Sequence, residues 1–152
     1  MKTIWRVGLA ILISLLLAAC SSDDDSTITY TFTLEGEQEV PDPVDTDATG
    51  SVTVVLDEET NVMTLNGSVS NLSSPLLDVA DAGPAHIHEA PRGENGGIAF
   101  VITVTNRTDT SATLSLTETL NDDQVELLKD GQYYVNIHTE NFGAGELRGQ
   151  IE

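Results

Sequence analysis

The sequence is poor in basic residues, cysteine, histidine and aromatics. It has 152 residues, with 6 Lys and Arg against 25 Asp and Glu, a formal net charge of −19 at pH 7. So large a negative excess repels phosphate backbones and anionic lipid headgroups and attracts cations, which excludes nucleic acid as a partner. One cysteine, Cys20, excludes any disulfide within the chain. The one tryptophan, Trp5, lies near the amino terminus, and three Tyr and three Phe leave little for an aromatic sugar-stacking platform. No nucleophile elbow is present, and His86-Ile87-His88-Glu89 is not the helical zinc-protease pattern. Asp45-x-Asp47-x-Thr49-Gly50 opens like a calcium loop but carries Leu56 at the twelfth place, so it reads as an acidic turn. Enzymatic activity therefore has no motif to support it. Any imidazole chemistry must use His86, His88 and His138.

What is present at the amino terminus is a targeting segment. Lys2 and Arg6 precede an apolar run from Val7 to Leu17, too short for a comfortable membrane span and ending in small residues. Leu17-Ala18-Ala19-Cys20 resembles the bacterial lipobox, which implies lipidation of Cys20 and its use as a membrane anchor. Residues 1–19 are read as a lipoprotein signal peptide and residues 20–27 as an acidic tether, since SSDDDST at 21–27 holds nothing to bury. The expected location is the bacterial cell envelope, lipid-anchored at the outer membrane. The acidic run fits either a plain linker or the export signal of surface lipoproteins that it resembles.

Residues 28–152 make one domain of about 125 residues, enough for a single core. Short alternating runs of β-branched and aromatic residues, separated by Gly, Asn, Asp and Pro, predict an all-β fold. Strands are predicted at 28–34, 51–56, 62–69, 85–88, 98–104, 112–119, 132–138 and 146–151. About eight antiparallel strands suit an immunoglobulin-like, Greek-key β-sandwich. One short helix is predicted at 122–129, capped by Asn121 with Gln124 three places on and stopped at Asp130-Gly131. The connection from Asn71 to Pro84 contains Leu76, Leu77 and Val79 and is predicted to fold down on the sandwich.

Three blocks together resemble the CHRD domain, the repeat found in chordin and in many bacterial exported proteins. They are Leu34-Glu35-Gly36-Glu37-Gln38-Glu39-Val40-Pro41 with Ala48-Thr49-Gly50, then Ala85-His86-Ile87-His88 with the glycines from 93 to 97, then Tyr134-Val135-Asn136-Ile137-His138-Thr139 with Gly145-Glu146-Leu147-Arg148-Gly149-Gln150. The resemblance implies an extracellular β-sandwich and a binding or interaction module of undefined protein or small-molecule ligand.

Strand parity then places the histidines. Ala85 and Ile87 take one face and His86 and His88 the other. In the last two strands Tyr134, Asn136 and His138 oppose the core face, as do Glu146, Arg148 and Gln150. A hairpin that keeps Arg148 out of the core pairs His138 with Glu146, Asn136 with Arg148 and Tyr134 with Gln150. That register sets the Glu146 carboxylate beside the His138 ring. Two histidines two apart on one strand, joined by a third from another, present three nitrogens suited to copper or zinc. Asn136, Glu146 and Arg148 are the candidate supporting shell, and Glu146 with Arg148 is also readable as a structural charge pair. The leading reading of the histidines is hydrogen bonding to neighbouring strands and loops on a solvated or loop-covered face, with the copper or zinc site as the alternative. His-x-His on a sandwich strand also resembles the copper strand of copper-zinc superoxide dismutases. Three histidines and a lone cysteine cannot supply that enzyme's two metals and disulfide, so dismutase-like activity stands behind both other readings.

Overall fold

The computed structural model describes residues 26–79 and 82–152. The expected signal peptide, Cys20 and most of the expected tether lie outside the described residues, and Thr27 of that tether already opens a strand. The described residues form nine strands and one α-helix. β1 (Thr27–Leu34), β2 (Thr49–Asp57) and β3 (Val62–Ser70) run as an antiparallel meander. β4 (Ala85–Glu89) and β5 (Gly97–Val101) follow, then β6 (Thr103–Thr105) and β7 (Ala112–Thr119), the helix α1 (Asp122–Lys129), and β8 (Tyr133–Ile137) with β9 (Leu147–Gln150).

The strands divide into a five-stranded sheet in the order β1-β2-β3-β7-β6 and a four-stranded sheet in the order β5-β4-β8-β9. With β1 set aside, this is the strand order of an immunoglobulin-like Greek key. Alternation drives it, because every second residue of a strand faces the opposing sheet. Val52, Val54 and Leu56 of β2, Met63 and Leu65 of β3, and Ile87, Val135, Ile137 and Leu147 of the second sheet are fully buried between the layers. The connection after β3 does fold down, burying Leu72 and Leu76.

One expected strand is two. The run from Ile98 to Val104 breaks into β5 and β6, which belong to different sheets. Ile102, at the crossing, is buried in the core and donates its amide to the Ala85 carbonyl at 3.0 Å. Alternation continues through the crossing, so the pattern of apolar residues hides the change of partner. The helix forms as its capping box requires, with Asn121 Oδ1 accepting from Gln124 N at 2.9 Å and Gln124 Oε1 accepting from Asn121 N at 3.0 Å.

Register defines two poles. Thr27, Asp57, Val62 and Thr119 share one end of the first sheet, while Leu34, Gly50, Val69 and Ala112 share the other. α1 lies at the first pole, tied by Asn61 to Asp122 at 3.2 Å and by an ion pair between Lys129 and Glu58. β8 starts just after α1 and runs to the far pole, where Thr139 bridges Leu76 and the His138 carbonyl accepts from Leu77 N. At that pole the chain leaving β1 crosses over to β9. Glu35 and Arg148 exchange backbone hydrogen bonds of 3.0 and 3.2 Å. Gly149 permits the approach, since a Cβ there would lie 2.5 Å from the Thr33 carbonyl oxygen.

Candidate metal centre

β4 and β8 pair antiparallel with His86 opposite Asn136 and His88 opposite Tyr134. β8 and β9 pair with Tyr134 opposite Gln150, Asn136 opposite Arg148 and Ile137 opposite Leu147. This is the register that the sequence predicts. It collects His86, His88, Tyr134, Asn136, Arg148 and Gln150 on the face turned away from the core, with His138 just past the end of β8.

That face is not open to solvent. His86, Tyr134, Asn136, His138, Arg148 and Gln150 are all buried. The covering comes from loops. Gln150 Nε2 donates to the carbonyls of Ala90 and Gly131 at 3.1 and 2.7 Å. Arg148 donates from Nη2 to the Glu94 carbonyl at 2.7 Å and from Nη1 to Asn95 Oδ1 at 3.1 Å. Its guanidinium carbon sits 3.5 Å above the centroid of the Tyr134 ring. Tyr134 also stacks on His88, with centroids 5.0 Å apart and an interplanar angle of 8°, and its hydroxyl accepts from Gly96 N at 3.3 Å.

The three histidines come together. One nitrogen of each lies within 4.8 Å of one nitrogen of each of the others. β5 carries a bulge beside them: its register against β4 shifts between Ile87 and His88, so Ala99 is left out of the pairing. Each ring has one nitrogen on a backbone carbonyl. His86 Nε2 reaches Ala82 O at 2.9 Å, His88 Nδ1 reaches Gly96 O at 3.1 Å and His138 Nδ1 reaches Gly143 O at 3.1 Å. A carbonyl only accepts, so each of these nitrogens carries its ring proton.

The remaining nitrogens of the neutral rings are therefore lone pairs. They are His86 Nδ1, His88 Nε2 and His138 Nε2. His86 Nδ1 lies 3.2 Å from His138 Nε2, and with both protons spent on carbonyls nothing bonds across that gap. His88 Nε2 is buried without a partner. Nor is a proton readily added. Burial lowers the pKa of all three rings, that of His138 to about 4, and the neighbouring histidines lower it further for His88 and His138. Arg148 adds to the effect on His88.

Glu146 behaves differently from expectation. Its carboxylate is fully buried and Oε1 accepts from Thr46 Oγ1 at 2.7 Å and from Ser73 N at 3.0 Å. The His138 ring is oriented by the Gly143 carbonyl instead, so Glu146 fastens the 46 and 73 loops and does not share an ion pair with Arg148. Arg148 lies over the Tyr134 ring, which in turn stacks on His88. Asn136 donates from Nδ2 to Glu39 Oε2 at 3.3 Å.

Glu39 is the residue that strand parity did not find. It is 5 % exposed and burial raises its pKa to about 7, opposed by the Asn136 hydrogen bond and the Arg148 charge. Its Oε1 and Asn136 Oδ1 are both buried acceptors without a partner, and both lie 2.5 Å from the point where a Cβ on Gly145 would stand. A proton on Oε1 lets Glu39 and Asn136 close the two-bond ring of an acid–amide pair. The ionised form sets two acceptors against each other.

A model of the CHRD domain matches residues 30–151. The chain belongs to the CHRD domain family. No curated protein and no solved structure matches it. The CHRD match runs from Tyr30, the fourth residue of β1, through β9, and so includes all three histidines and Glu39. Membership agrees with the two-layer β fold and with the three sequence blocks that resemble the family. It assigns no ligand to the histidines.

Proposed function

We propose that this CHRD domain is an extracytoplasmic binding module that holds one copper or zinc ion on His86, His88 and His138. One observation carries the reading: three ring nitrogens converge in a buried space while each ring's proton is held by a carbonyl on the far side. Rings held this way match the arrangement in which ligating histidines donate their second nitrogen to a carbonyl or carboxylate. Without a cation, three buried lone pairs face one another. The 3.2 Å separation of His86 Nδ1 and His138 Nε2 is close to the ~3.3 Å expected between two nitrogens ~2.0 Å from a tetrahedral ion. The protein's negative charge favours cation capture.

The test is titration of the metal-stripped protein with zinc and copper, followed by calorimetry and by the thermal midpoint. One equivalent should bind and raise the midpoint, and His88→Ala should abolish both effects. Binding that survives His88→Ala and His138→Ala would defeat the proposal. The lipobox supports attachment of this module to the envelope through Cys20. Incorporation of labelled fatty acid into the wild type and its loss in Cys20→Ser is the corresponding test.

A further inference from the structure

We propose that the three-histidine centre selects cuprous copper over zinc and over cupric copper, an inference that rests on the metal reading above. The donors alone do not discriminate, because imidazole accepts zinc, copper, iron and nickel alike. Charge and coordination number do.

All three ligands are neutral. Among the described residues the group of metal-ligand side chains consists of His86, His88 and His138 and includes no carboxylate. The two buried carboxylates nearby each bond through one oxygen, Glu146 Oε1 to Thr46 and Ser73 and Glu39 Oε2 to Asn136, and neither joins the histidine group. The fixed charge closest in the stack is positive, the Arg148 guanidinium beyond the Tyr134 ring. An ion in this space has no anionic ligand to offset its charge. The cost of burying charge grows with its square, so a dication is penalised about four times as heavily as a monocation of the same size.

Coordination number acts in the same direction. Zinc takes four ligands and keeps water or substrate in the fourth place where the protein supplies only three. Cupric copper favours a tetragonal plane. Here the three rings are pinned by the Ala82, Gly96 and Gly143 carbonyls, so their free nitrogens cannot shift to the corners of a square without breaking those bonds. His88 Nε2 is buried, and the Tyr134 ring closes one face of His88, so a water ligand has no open approach there. A three-coordinate monovalent ion needs neither a fourth ligand nor a counter-charge. His86 would bind through Nδ1, His88 and His138 through Nε2.

The experiment is anaerobic titration of the stripped mature protein with Cu(I) against a chromophoric cuprous chelator, with parallel zinc and Cu(II) titrations against their own chelators. X-ray absorption is then recorded on the copper form. The expected result is one equivalent of Cu(I) bound at least a thousandfold more tightly than zinc, with three nitrogen neighbours. Zinc bound through the same histidines as tightly as Cu(I), or a fourth light-atom ligand on copper, would overturn the selectivity while leaving the metal site standing. Failure of every ion to bind would remove the metal reading itself. Arg148→Gln offers a second readout. With circular dichroism confirming the fold, it should narrow the gap between Cu(I) and zinc at least tenfold, and an unchanged gap would refute the charge argument.

Discussion

The two sheets treat their outward faces in opposite ways. On the five-stranded sheet burial alternates, and the outward residues of the central strands are small and hydroxyl-rich: Thr31, Thr53, Asn66 and Ser115 lie in one cross-strand row. On the four-stranded sheet every residue of β8 and β9 is buried, the polar Asn136, Arg148 and Gln150 included. The outward side chains there are large, and several present more than one hydrogen-bonding atom. Water satisfies a threonine face easily. Arg148, Gln150 and Asn136 instead meet carbonyl and carboxylate groups from Glu94, Ala90, Gly131 and Glu39, and the loops that carry those groups form a third layer. The difference teaches that parity tells which way a side chain points, while its size and donor count decide what covers it.

The contrast is open to direct attack, beginning with Arg148. Arg148→Ala strands the Glu94 carbonyl and Asn95 amide oxygen and empties the space over Tyr134. It should cost about 3–5 kcal/mol in urea unfolding, and a loss below about 1 kcal/mol would mean that the covered face behaves like the open one. Glu39 gives a smaller effect with a definite pH sign. Its folded pKa of about 7 exceeds the ordinary value of 4.5, so the folded protein holds a proton that the unfolded chain releases. The stabilisation is complete below pH 4.5 and is lost as pH rises through about 7. Glu39→Gln keeps the shape, offers an amide hydrogen to Asn136 Oδ1 and cannot ionise. At pH 8 it should stabilise the fold by about 2 kcal/mol, within the ~3 kcal/mol that the shift represents, and at pH 4 it should do little. A variant equally stable relative to wild type at both pH values would exclude the acid–amide pair. The smallest effect belongs to the open face. Thr53→Ala removes an exposed contact of 3.3 Å with Thr31 Oγ1 and should shift stability by about 0.5 kcal/mol or less.

Much of this was legible in the sequence, for identifiable reasons. The β8–β9 register was fixed by Arg148, because a slip of one residue would drive a guanidinium into the core. The helix was fixed by Asn121 and Gln124, whose reciprocal bonds span three residues. Both are local. What escaped depends on contacts distant in the chain. Glu39 lies 97 positions from Asn136, and nothing near Glu39 distinguishes it from the other acids of a strongly acidic chain except its place in the first family block. Glu146 was set beside His138 by register, yet its side chain turned to Thr46, 100 residues away. The crossing at Ile102 escaped for a different reason: an inward residue is apolar whichever sheet its neighbours join.

The placement of β1 has a consequence for how the molecule is presented. Thr27 enters at the pole occupied by α1, and the chain travels the eight residues of β1, about 26 Å at ~3.3 Å per residue, before reaching the end where His138 and the loops around Gly143 gather. An anchor at Cys20, as proposed, would join the domain at its helical pole, so the histidine pole lies at the opposite end from the point of attachment.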